Sequence, residues 1–117
     1  MRLGAKTFLA GLVLCFLAAA TLAAQNTGTA EKEAKHHFNL TSTRAAANFQ
    51  SADSIDARLR KDGQTLHPQL IALRLRIEAE LSDARDEIDQ HDYPAAQESL
   101  THADALLDRF ARQIGGY

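Results

Sequence analysis

Apolar residues return along this chain at alternating steps of three and four, the mark of helices buried along one stripe. Ala45, Phe49, Ala52, Ile55 and Leu59 form the first stripe. Thr41, Ser42 or Thr43 can cap its start, and Gly63 offers the left-handed residue that ends helices. A second stripe runs through Leu70, Leu73, Ile77, Leu81, Ala84, Ile88 and His91. It begins at Pro68, a favoured first helical position, with Leu66 and Ile71 placed as a hydrophobic staple around a His67 cap. Ile71 and Leu75 widen the apolar face of its first half. The third stripe, Tyr93, Ala96, Leu100, Ala103, Leu107, Phe110 and Ile114, keeps a strict heptad alternation that favours near-parallel helix contact. The pattern predicts helices over about 44–62, 68–91 and 94–114. So few residues separate the last two that they must fold back as an antiparallel hairpin. No segment alternates with period two, so strands are not expected. The expected fold is all-α: a small three-helix bundle dominated by a long antiparallel hairpin.

Ahead of these stripes the pattern changes character. Arg2 and Lys6 precede an uncharged run from Thr7 to Ala20, and small residues close it through Ala24. Residues 1–24 therefore read as an export signal, cut after Ala23 or Ala24. The alternative is an uncleaved N-terminal anchor, since 18 residues from Thr7 to Ala24 sit at the short end of a membrane span. Either way the remaining chain is expected outside the cytoplasm, periplasmic or secreted. Residues 25–42 have little periodicity and read as a flexible tether, with 43–117 as the helical domain.

Charge and composition narrow the function. The 117-residue chain carries 13 basic and 15 acidic residues and a net charge of -2. Loss of Arg2 and Lys6 with the signal leaves 11 against 15, or -4. That balance argues against nucleic-acid binding. It also gives no basic face for a membrane surface beyond the signal or anchor. Cys15, the single cysteine, leaves with the signal, so neither thiol nor disulfide chemistry is expected of the cleaved protein.

The candidate chemistry is sparse. No Gly-x-Ser-x-Gly elbow, Gly-rich phosphate loop or His-x-x-x-His pair occurs. The chain is therefore not expected to be an enzyme or to carry a cofactor. One distinctive cluster remains: Asp83, Asp86, Glu87, Asp89, His91 and Asp92, at the turn between the second and third helices. Carboxylates and an imidazole gathered this closely suggest loose binding of a divalent cation.

His91-Asp92-Tyr93-Pro94-Ala95-Ala96, followed by Leu100 and Ala103, resembles the turn and second helix of a tetratricopeptide-type hairpin. The resemblance spans residues 70–114. His91 stands where that pattern has Gly, and no second helix pair follows. It implies a helical hairpin of a kind used for protein contacts, and no particular peptide-binding residue.

A core of about 70 residues rarely supplies more than about 3–5 kcal/mol. The alanines within these stripes add little buried area, so self-association or a protein partner is expected. Ile71, Leu75 and Leu106 lie off the main stripes and are the candidate partner-binding residues. The expectation is a small exported helical protein acting as a non-enzymatic interaction, scaffold or chaperone-like module of the bacterial envelope. The alternative is a periplasmic cation-binding protein using the acidic cluster.

Overall fold

A computed structural model of the chain describes the backbone of residues 2–117 and the side chains of residues 27–117. The expected signal segment 1–24, with Cys15 and both cleavage positions, lies outside the residues whose side chains are described. The described chain is all-helical, with three helices and no strand: α1 (Arg2–Lys61), α2 (Pro68–Asp89) and α3 (Tyr93–Ile114). None of the described helical sequence is long and apolar enough to cross a membrane. The chain divides into two units, Met1–Lys32 and Glu33–Tyr117. In the first, the described residues 27–32 are exposed except for half-buried Ala30 and Glu31. Everything below concerns the second.

The tether expected over 25–42 is corrected by the structure. The described part of that stretch is helix, and Ala34 and Thr41 within it are buried. The apolar stripe simply continues upstream, through Ala34, Phe38 and Thr41 to Ala45, at steps of four, three and four. Thr41 and Thr43 are not caps. Thr43 lies inside the helix and bonds back to the Asn39 carbonyl at 2.8 Å.

Both helix ends that the sequence leaves to a turn close in the same way. After α1, the Gln64 amide donates to the Leu59 carbonyl at 2.8 Å and the Gly63 amide to Arg60 at 3.1 Å. After α2, the Asp92 amide donates to Glu87 at 2.8 Å and the His91 amide to Ile88 at 3.0 Å. Each is a Schellman motif, whose C′ residue must adopt a left-handed backbone. Gly63 does so at φ 73°, and His91 does so at φ 60°. Asp92 then caps α3, its carboxylate accepting from the Ala95 amide at 3.3 Å. Basic residues in the last turn of α1 (Arg58, Arg60 and Lys61) complement its dipole.

All three helices contribute to one apolar cluster of the core. Ala45 and Ala52 come from α1, Leu70, Leu73 and Ile77 from α2, and Leu106, Leu107 and Phe110 from α3. Phe49 meets Phe110 edge-to-face, with ring centroids 5.4 Å apart. Phe49 also carries the Arg74 guanidinium 4.6 Å above its ring. Leu106 is corrected from surface to core: only 7% of it is exposed. The heptad stripe marks one face of α3, but this helix buries two adjacent positions, 106 and 107, because neighbours pack on more than one side of it. The staple is partly formed. Leu66 packs on the core while Ile71, its intended partner, stays exposed.

Candidate functional site

Two arrangements stand out, one polar and one apolar. The polar one joins the segment of α1 before Ala45 to α3. His37 faces two acceptors, with Nδ1 2.5 Å from Gln97 Oε1 and Nε2 2.7 Å from Asp104 Oδ2. The other oxygen of Asp104 accepts from the Thr41 hydroxyl at 2.9 Å. One turn on, Arg44 pairs with Asp108. With acceptors on both nitrogens, the imidazole satisfies both only when doubly protonated. Burial works against the charge, but hydrogen bonds from Gln97 and Asp104 and the Asp104 charge outweigh it, so the His37 pKa is raised. The Arg44 hydrogen bond and charge similarly hold the Asp108 carboxyl below its usual range.

This set contains a carboxylate, an imidazole and a hydroxyl, joined by hydrogen bonds between α1 and α3. The Thr41 hydroxyl donates to Asp104 and not to His37. Both ring nitrogens of His37 are engaged in hydrogen bonds. Sequence inspection missed all three partners, because His37 and Thr41 sit in the stretch read as a tether. The signal that could have found them is the upstream continuation of the stripe through Ala34 and Phe38.

The residues of the acidic cluster are spread among different tasks. Asp92 caps α3, and Glu87 Oε1 accepts from the Ser99 hydroxyl at 2.5 Å. His91 holds the left-handed turn, with Nδ1 2.8 Å from the Tyr93 hydroxyl. Asp83, Asp86 and Asp89 are exposed along α2. Among the described residues, no three His, Cys, Asp or Glu side chains are gathered so as to hold a metal ion.

The apolar arrangement lies on α2. Ile71 and Leu75, one turn apart, are 53% and 62% exposed, while the other large apolar residues of α2 are buried or half-buried. Beside them opens a cleft of about 390 Å³. Ala52, Leu66, Leu70, Ile71 and Phe110 line it. The charged residues on its rim neutralise one another: Arg74 pairs with Asp53 at 2.7 Å and Arg60 with Asp56 at 2.9 Å. A compensated rim around an apolar lining suits an apolar side chain better than an ion.

Comparison with protein-family models, curated proteins and solved structures finds no match for this chain.

Proposed function

We propose that this chain is a small exported protein of the bacterial envelope that folds as a three-helix bundle and acts by binding another protein, without catalysis, as a scaffold or chaperone-like module. The observation that carries this reading is the exposed Ile71–Leu75 pair beside an apolar cleft. Two large apolar side chains one helical turn apart, left in water next to such a cleft, are the usual beginning of a protein contact. The export signal read at residues 1–24 supports the location. The wiring of His37, Asp104 and Thr41 into mutual hydrogen bonds supports a structural use of the one set that resembles catalytic groups.

The test compares three substitutions. Leu75→Asp and Ile71→Asp should leave the melting transition within about 0.5 kcal/mol of wild type, because both side chains already face water. Leu106→Asp should unfold the protein. A photo-crosslinker at position 75 should yield a defined adduct in the native envelope, absent when Ile71 is replaced by Asp. The same adduct from the Ile71→Asp protein would sink the reading, as would recovery of the protein from the cytoplasmic fraction alone. A concentration-dependent dimer in light scattering, dissolved by Leu75→Asp, would identify the partner as a second copy.

A further inference from the structure

The α2–α3 pair has a flank away from α1. The residues of α3 that meet α1 through polar side chains are Gln97, Asp104 and Asp108. The helical period turns positions 102, 106 and 109 to the other side. There a groove of about 300 Å³ runs between the two helices, lined by Arg76, Glu80, His102, Ala105, Leu106 and Arg109. Glu80 is the one carboxylate lining it, and it faces His102, with 3.9 Å between Oε1 and Nδ1. Arg76 and Arg109 form no ion pair or hydrogen bond with any described residue. The chain as a whole is acidic, with a net charge of -2, so two uncommitted guanidiniums on one groove are a local reversal of its charge.

Guanidinium groups match carboxylates in bidentate geometry, and an apolar strip lies next to them, made by exposed Ala105 with only the small part of Leu106 that reaches the surface. We propose that this groove receives an acidic, partly apolar helical segment of a partner protein, with a carboxylate between Arg76 and Arg109 and an apolar side chain over Ala105 and Leu106. A small oxyanion would use the arginines but leave the apolar strip bare, so the peptide is the better fit. A single exposed ion pair contributes little, so the groove needs both arginines and the apolar strip together. The inference rests on the reading of the chain as an interaction module but uses a different surface. Leu75→Asp therefore tests that reading, and substitutions in the groove test this one.

The experiment titrates the purified, isotope-labelled full chain with a helical peptide of Leu, Ala and Glu, with its Gln-for-Glu counterpart, and with inorganic phosphate. The Glu peptide should shift the amide signals of residues 76, 102, 105, 106 and 109. Its affinity should fall at least about tenfold in the double variant Arg76→Gln, Arg109→Gln, and in about 0.5 M NaCl, where screening is short-ranged. Glu80→Gln, which removes the competing carboxylate, should tighten binding. Equal binding of the Glu and Gln peptides overturns the proposal, as do shifts confined to another surface or no binding at all. Complete competition by millimolar phosphate also overturns it, in favour of a small-oxyanion site.

Discussion

The two left-handed residues make a matched pair that isolates the cost of a side chain at one backbone conformation. Gly63 and His91 occupy the same place in the same motif, at φ 73° and 60°. A Cβ at Gly63 would meet nothing within 4 Å, so Gly63→Ala tests backbone strain alone. It should destabilise by about 1–2 kcal/mol in denaturant unfolding. His91→Gly removes the same strain and gives up the hydrogen bond to Tyr93, leaving a smaller net gain of about 0–1 kcal/mol. A gain at 91 matched by no loss at 63 would show that the motif does not set these ends. The histidine is also where the sequence departs from the tetratricopeptide-type turn, and in the structure its Nδ1 lies 2.8 Å from the Tyr93 hydroxyl, a contact a glycine there would lack.

At the scale of the element, the described part of α1 is held by apolar and polar contacts, with the Arg85 guanidinium over the Phe38 ring besides. From Ala45 onward it reaches the apolar cluster. Before Ala45 it is fastened by His37, Thr41 and Arg44 to Gln97, Asp104 and Asp108. The raised pKa of His37 makes that fastening depend on pH. A group whose pKa is higher folded than unfolded contributes fully below its unfolded value, about 6.5, and loses the contribution as pH rises through the folded value. The melting temperature should therefore fall as pH rises from slightly acidic to slightly alkaline, and His37→Gln should flatten that part of the profile. A slope unchanged by His37→Gln would refute the assignment. α2 and α3 were legible because large apolar side chains mark their stripes and a proline marks the start of α2. The upstream half of α1 was not. There the inward positions are Ala34, His37 and Thr41, and a threonine seen alone suggests a cap rather than an interior. Leu106 was misplaced for the opposite reason: a strict heptad describes a helix with one neighbour, whereas α3 has more than one. Of the candidate sites, the exposure of Ile71 and Leu75 could be read from their position off the stripe. The ties of the acidic cluster could not, because Ser99 and Tyr93 are polar partners brought in by the turn.

For the whole molecule, the large side chains are unevenly shared. Leu70, Leu73, Ile77, Leu100, Leu107 and Phe110 belong to α2 and α3, while among the described residues of α1 the buried ones are Ala34, Thr41, Ala45 and Ala52. Small side chains let a helix approach closely but remove little apolar surface from water, and that surface is the main source of stability. Opening free energies within one protein follow such local differences. Native-state hydrogen exchange should accordingly find residues 34–44 exchanging through a partial opening. The amides of Ile77, Leu107 and Phe110 should exchange only with global unfolding. Equal protection in both regions would contradict this.

The alanines of α1 also bear on how the sequence can change over time. A helix that meets its neighbours through methyl groups tolerates no larger side chain at the points of closest approach, since an added branch would push the backbones apart. Positions 34, 45 and 52 are thus narrow in what they accept, although each contributes little to the free energy of folding. Ile71 and Leu75, more than half exposed, are far less restricted by packing, so these positions accept polar side chains that positions 34, 45 and 52 would reject.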